Sequence, residues 1–479
     1  MAESDTRVSR FERQMSPAEA LMWNVEKDPW LNPSGGSLSL VDGPLDPEVV
    51  DRWLRATVAA VPRLRERVVP GFGRIERPSW RPDPEFDFGY HVRHVDLPGQ
   101  GTERELLDLV AVLFQEPYDR TRPLWQIVVI GGLEGDRSAL LMKLHHSIAD
   151  GYGMGRMQER FMVRTPDAPV PAPVDLDALV AETCAAADRE SGSASALDQV
   201  ADLVRRPAGI AQKALGRVAL LAADPTAWGD VVSSARGMAG MVAGQLRPDD
   251  EGATEPAGSP LWTGRSRHRH LEAIRLPLED TKRAAKALDA SINDVFMSGL
   301  LAGAVAHHEA RGVAVSAFNT SFVVSTRQDR AEGGNSFSPV RVRVPGGVMS
   351  PVERVRAVQE RVGRQRDSFH GGGLMGSLAG VVNLLPTSLT TQVARSQAAR
   401  VDFATTNVRG SSRPLYIGGQ MMTGIFAPGP VAGSAMIAAV ISYLDTMNVM
   451  LTIDPVAVPE PAALKADIEQ AYDELFEAV

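Results

Sequence analysis

Up to about residue 164, strand-like and helix-like hydrophobic patterns alternate along the chain. "SLSLVDGP" reads as a short strand running into a Gly-Pro turn, after which Val50, Leu54, Val58 and Val61 recur at helical spacing. "LWQIVVIGGLEGDRSALLMKLHH" predicts two strands around Gly131, Gly132, Gly135 and Asp136. This is a hairpin whose second strand delivers two histidines to its C-terminal end.

From Thr165 the texture becomes Pro/Ala-rich and acidic, and "RPDDEGATEPAGSP" repeats that character before Gly264. Between the two lies an Ala-rich helical stretch, so residues 165–264 read as a linker with helices of its own. A second mixed region follows, with strand candidates in "LEAIRLP", "NTSFVVST", "PVRVRVP", "VDFATTNV", "MIAAVISYL" and "MNVMLTID". Helix candidates are "LEDTKRAAKAL" and "INDVFMSGLLAGAVAHHEAR". The expected organisation is two α/β sandwich domains, 1–164 and 265–479, joined by the linker.

Composition narrows the function classes. A chain of 479 residues exceeds a single hydrophobic core, and 44% hydrophobic with 23% charged residues is ordinary for a globular protein. Fifty basic residues against 59 acidic ones give a net charge of −9, which argues against nucleic acid as a partner. Cys184 is the only cysteine, so no intrachain disulfide forms. The stretches Ser368 to Ala394 and Pro414 to Leu444 lack Asp, Glu, Lys and Arg but are broken by Gly, Pro, Ser and Thr. They read as buried strands and loops rather than membrane spans. The first residues carry charges of both signs and no apolar run, unlike a secretory signal. The expected location is the cytosol, with membrane contact only at a surface.

His145 and His146 occupy consecutive positions at a strand end, so their side chains point to opposite faces and take different jobs. One is free to face a substrate, while the other holds the local structure. Asp150 lies four residues beyond His146, where the chain can fold back, and Gly151 permits the turn. A histidine neutral near pH 7 suits general-base work, although an adjacent pair can equally be structural. His307-His308, followed by Glu309 without Asp-Gly, is assigned no chemistry. Rival chemistries lack their residues: the sequence has no H-E-x-x-H, C-x-x-C, P-loop or G-x-S-x-G pattern, and no metal site is expected.

"HHSIADG" resembles the H-H-x-x-x-D-G signature of acyltransferases with the chloramphenicol-acetyltransferase-like fold, a group that includes condensation domains of peptide synthetases. Three further stretches resemble the bacterial wax ester synthase/diacylglycerol acyltransferase family: Pro123-Leu124-Trp125 before the histidines, the Asn293-Asp294 pair, and the run "TTNVRGSSRPLYIGGQ" onward. The opening "MSPAEALMWNVEKD" also looks like that family's start. The likeness covers nearly the whole chain except the linker.

The resemblance implies two such sandwich domains with the active site at their interface. It implies transfer of a long-chain acyl group from acyl-CoA, a co-substrate, to diacylglycerol or a long-chain alcohol, with no cofactor. His146 is then the base, with His145 and Asp150 its supports and Gly151 beside them. Trp125 either contacts substrate or packs in the core behind Pro123 and Leu124. Ser291-x-x-Asp294 is a capping-box pattern, so Asp294 reads as a cap and Asn293 as lining the domain junction. Asn407 is the nominee for an oxyanion donor. Where the family has Asn-Val-Pro-Gly-Pro this chain has Asn-Val-Arg-Gly-Ser, so Arg409 and Ser411 replace both prolines. A looser turn is expected, with Arg409 meeting a CoA phosphate or facing water. Arg205, Arg206, Lys213 and Arg217 suggest either a helix lying on a membrane or lipid-droplet surface or a solvated linker helix. The competing functions are a condensation-type enzyme using carrier-bound acyl groups and a catalytically silent lipid-binding protein.

Overall fold

The computed structural model describes residues 13–71, 77–149, 151–192, 258–325, 337–368, 387–430 and 433–479. In chain order the first elements are α1 (Pro17–Val25), β1 (Ser34–Asp42), α2 (Pro47–Ala60), the short pair β2 (Glu66–Val69) and β3 (Ser79–Pro82), α3 (Phe88–His91) and β4 (Val92–Asp96). They continue as α4 (Glu103–Gln115), β5 (Trp125–Leu133), β6 (Arg137–His145), α5 (Gly151–Gln158) and α6 (Leu176–Gly192). The remainder runs β7 (His270–Pro277), α7 (Leu278–Ala287), α8 (Ile292–Glu309), β8 (Ala317–Ser325), β9 (Phe337–Pro345), α9 (Pro351–Ser368) and α10 (Thr387–Ala398). It ends with β10 (Phe403–Arg409), β11 (Tyr416–Ile417), β12 (Gln420–Phe426), β13 (Met436–Tyr443), β14 (Thr446–Ile453) and α11 (Pro461–Glu477).

Local sequence explains the clearest of these elements. In α2, Asp46 accepts from the amides of Glu48 and Val49, Pro47 opens the first turn, and Val50, Leu54 and Val58 form the buried stripe. The β5–β6 hairpin turns through Gly135 (φ 75°) and Asp136 (φ 56°), left-handed conformations that glycine and aspartate tolerate best.

The strands form two mixed six-stranded sheets, in the orders β11-β12-β1-β6-β5-β4 and β7-β14-β13-β10-β8-β9. The first sheet is completed by the far end of the chain. β12 pairs antiparallel with β1, Leu38 opposite Phe426, so the region 265–479 contributes strands to both sheets rather than folding by itself. Other contacts also join the two halves of the chain: Arg104 donates to Leu271 O and pairs with Glu272, Arg275 pairs with Glu103, and Arg395 with Asp28.

α8 is the central helix of the second sheet's core and is buried along most of its length. Gly299 and Gly303, one turn apart, bring its backbone against Tyr472 and Ile468 of α11. Met447, Val449 and Leu451 of β14 face that core, while Met450 on the opposite face joins Leu271 and Ala273 against α4 and the first sheet. One strand thereby serves two cores, which accounts for its burial from Met447 to Ile453.

Residues 177–254 form a separate compact unit, of which α6 is described. The flanks of the expected linker belong to the main unit instead. Trp262 is buried against His308, Phe318 and Phe403, and Ser259 bonds His308, so residues 258–264 are core and not linker. The basic stretch from Arg205 to Arg217 lies outside the described residues. Among the described residues no helix is long and apolar enough to cross a membrane.

Candidate active site

The histidine pair sits where β6 ends beside β1. His145 is the last residue of β6 and pairs with Ser34; His146 is the first residue of the following turn, its amide donating to Pro33 O at 3.2 Å. β12 runs along the other side of β1 with its C-terminal end toward this same end of the sheet. The pair therefore lies at the seam between the two strand systems.

The two imidazoles have different surroundings. His145 is fully buried, and Ser147 donates its amide to Nδ1 at 3.0 Å with its hydroxyl 2.6 Å away. Nδ1 accepts from that amide, and Nε2 points at Glu26 Oε2, 3.4 Å distant. The amide of His145 in turn donates to Leu124 O. His146 is half-buried and its ring stands over β1 at Gly35, where an added Cβ would lie 2.9 Å from Nε2 and 3.2 Å from Cε1. A side chain at this position would press on the imidazole, so the ring would have to give way.

Glu26 follows the last residue of α1 and gathers charge behind His145. Arg120 Nη1 donates to its Oε2 at 2.7 Å, and the same guanidinium lies 3.3 Å from the centre of the Trp23 ring. Burial pushes the Glu26 carboxyl up, but the His145 contact and the charges of Arg120 and Lys143 outweigh it, holding the group below its ordinary value. Lys143, also buried, donates to Leu113 O at 2.9 Å and to Glu116 O, closing the C-terminal end of α4. Burial lowers its pKa to about 8, against the opposing pull of Glu116 and Glu26. Burial likewise pushes the Tyr118 phenol, edge-on to His145, well up.

The other expected site residues divide cleanly. Trp125 is a core residue: its Nε1 donates to Leu64 O at 2.8 Å and its ring stacks on His91 at 4.5 Å, leaving no surface for substrate. Leu124 acts through its carbonyl on His145, and Pro123 O accepts from the Trp125 amide. Asp294 closes a capping box with Ser291, its Oδ2 accepting from Ser291 N at 2.9 Å. Asn293 donates to Met297 Sδ within α8. Asn407 and Arg409 are exposed on β10, in the second sheet, opposite Val440 and Ser442.

The Arg-Gly-Ser turn is held by hydrogen bonds instead of prolines: Ser411 Oγ accepts from Arg413 N at 3.1 Å, and Leu444 N donates to Ser411 O at 2.9 Å. Asp150 lies outside the described residues, and Gly151 is the first residue of α5. The second pair is structural, His307 bonding Asp467 and His308 bonding Ser259 and Ala304 O, and burial lowers both pKa values. No group of three or more His, Cys, Asp or Glu suited to a metal occurs among the described residues.

Sequence reasoning missed Glu26, Ser147 and Gly35. Gly35 alone left a local signal, since glycine inside an otherwise strand-like run marks a close approach.

Comparison with known proteins places this geometry. The structure matches a wax ester synthase/diacylglycerol acyltransferase from Marinobacter aquaeolei VT8 with a TM-score of 0.63, at 20% identity, covering 96% of this chain and 98% of that one. It also matches the first condensation domain of the calcium-dependent antibiotic synthetase with a TM-score of 0.57, at 20% identity, covering 98% and 97%. The fold is thus the two-domain chloramphenicol-acetyltransferase-like fold. Residues 15–296 match the wax ester synthase/diacylglycerol acyltransferase catalytic domain and residues 333–476 the WS/DGAT C-terminal domain. The chain belongs to the wax ester synthase/diacylglycerol acyltransferase family, and its activity is that of an acyltransferase. A protein of Mycobacterium tuberculosis strain H37Rv, provisionally named a diacylglycerol O-acyltransferase, is 29% identical over 99% of this chain and 94% of its own.

Proposed function

We propose that the protein transfers a long-chain acyl group from acyl-CoA to diacylglycerol or a long-chain alcohol, with His146 as general base. The observation that carries the assignment is the asymmetry of the pair. His145 is buried and engaged by Ser147 and Glu26, whereas the half-buried His146 ring stands over a residue that has no side chain. Only His146 has the exposure that a base acting on a substrate hydroxyl requires.

In this reading the hydroxyl oxygen attacks the thioester carbon as its proton passes to the imidazole. The tetrahedral intermediate then expels the CoA thiolate, which takes the proton back. General-base assistance of this kind contributes about 10²–10⁴ in rate, and alignment of the two lipids and donors to the oxyanion supply the rest. No resident cofactor is needed. Asn407, exposed on β10, is the nominee for one such donor, and Arg409 beside it for a contact to a CoA phosphate. Association is proposed to be peripheral, at a membrane or lipid-droplet surface that presents the acceptor.

The test is purified protein with labelled palmitoyl-CoA, offered diacylglycerol and hexadecanol separately, beside His146→Ala. Product from either acceptor that falls to background in the variant supports the reading. Equal rates in both proteins sink the base assignment. Transfer to neither acceptor favours the condensation-type or silent alternative.

A further inference from the structure

A cavity of about 490 Å³ lies on the Glu26 side of His145, between α1, the β2–β3 ribbon and the loop before β5. Four cationic side chains line it, Lys27, Arg67, Arg77 and Arg120, together with Trp23 and apolar residues that include Val68; among the described residues no Asp or Glu does. In a chain of net charge −9 this is a local concentration of positive charge among the described residues. Glu26 holds Arg120, Asp83 stands 4.0 Å from Arg67 Nε, and Arg77 donates to the neutral Gln14 Oε1 at 3.1 Å.

The geometry points to a binding site for an organic phosphate, with its phosphoryl groups on Arg67, Arg77 and Lys27 and its apolar or planar part against Trp23 and Val68. The volume is that of a small-molecule site, larger than a lone inorganic ion needs. Guanidinium groups match phosphate oxygens in pairs, and three arginines converge here. Because Arg120 bonds Glu26, and Glu26 faces His145, one lining residue also belongs to the buried network behind the histidine pair. Two sources carry the required chemistry: the phosphoadenosine end of CoA, or a separate nucleotide. The site rests on its own lining and is independent of the acyl-transfer assignment.

The experiment is calorimetric titration of the full-length protein with adenosine 3′,5′-bisphosphate, ADP and phosphate-free adenosine. The same titrations are run on the Arg67→Gln/Arg77→Gln double variant and on Lys27→Gln. The expected result is saturable binding of a phosphorylated probe, none of adenosine, and a loss of about tenfold or more in affinity in the double variant. Palmitoyl-CoA added as competitor separates the sources: displacement assigns the site to the acyl donor's phosphates, and co-binding assigns it to a distinct nucleotide. Absence of binding by either phosphorylated probe overturns the proposal, as does wild-type affinity in a double variant that circular dichroism shows to be folded. Should the double variant fail to fold, Lys27→Gln and the salt dependence of wild-type binding decide, with unchanged affinity in both overturning it. Binding is read without turnover, so failure of the transfer assay leaves this result standing.

Discussion

Gly35 lies so close beneath His146 that a Cβ on it would stand 2.9 Å from Nε2. The imidazole is therefore placed by the strand next to its own, and its position depends on that strand carrying hydrogen at this point. Gly35→Ala should displace the ring with little effect on the sheet, because the backbone pairing of Gly35 with Leu144 does not involve the side chain. A shift of about 1 Å in a reacting group costs about 10²-fold in rate. The expected outcome is a fall of that order in acyl transfer from palmitoyl-CoA, read as kcat, with a thermal midpoint within a few degrees of wild type. A Gly35→Ala protein with full activity would show that the ring's position over β1 is not the working one.

Glu26 should behave as a structural acid. Removing one member of a buried ion pair strands the other, here Arg120, and Glu26→Ala should cost about 3 kcal/mol in urea unfolding at pH 7. The folded-state pKa is depressed below 4.5, so this increment is present above that value and is lost as pH falls through the lowered one. Wild type and variant should accordingly converge in acid. A constant difference between them down to pH 3 would exclude a charge origin.

Much of this fold is legible locally. The hairpin ending in the histidines, the stripe of α2 and the strands of the second sheet follow from spacing alone, because each is fixed by its own side chains and turns. The crossover is not legible that way: pairing of Leu38 with Phe426 is a register between distant segments, and nothing in "QMMTGIF" states which sheet it joins. The same holds at the site. Glu26 meets His145 across 119 positions of chain, whereas Gly35 announces itself as a glycine at the start of a strand. Trp125 had two readings in the sequence, and only the Leu64 carbonyl on its indole and the His91 ring on its face place it in the core.

The α8–α11 contact is a second place where missing side chains set a distance. A Cβ at Gly303 would stand 2.4 Å from Ile468 Cα, a backbone atom, and one at Gly299 would stand 2.2 Å from the Tyr472 ring, whose hydroxyl donates to Phe296 O at 2.5 Å. Gly303→Ala should therefore push the helices apart and destabilise by about 1–3 kcal/mol. Gly363→Ala, on α9 with nothing within 4 Å of the added carbon, is the control and should gain up to about 1 kcal/mol from helix propensity. Chemical denaturation of both variants checks the contrast. Equal effects would mean that helix propensity, and not the crossing distance, governs both.

His91 carries the clearest pH signature. Burial lowers its pKa from 6.5 to about 4, although the bond from Nδ1 to Trp125 O at 2.8 Å works in the opposite direction. The folded protein thus keeps this ring neutral where the unfolded chain protonates it. Its contribution is full above pH 6.5, shrinks as pH falls toward 4, and reaches about 3 kcal/mol of loss below that. His91→Phe retains stacking against Trp125 and Phe86, cannot titrate, and gives up one hydrogen bond, about 1 kcal/mol at pH 7. By pH 5 the wild type should have lost about 2 kcal/mol that the variant never had, so the order of stability reverses between pH 7 and pH 5. Urea unfolding at the two pH values tests this, since every other titrating group is common to both proteins. Parallel pH profiles would mean that the imidazole gains its proton in the folded state as readily as in the unfolded one.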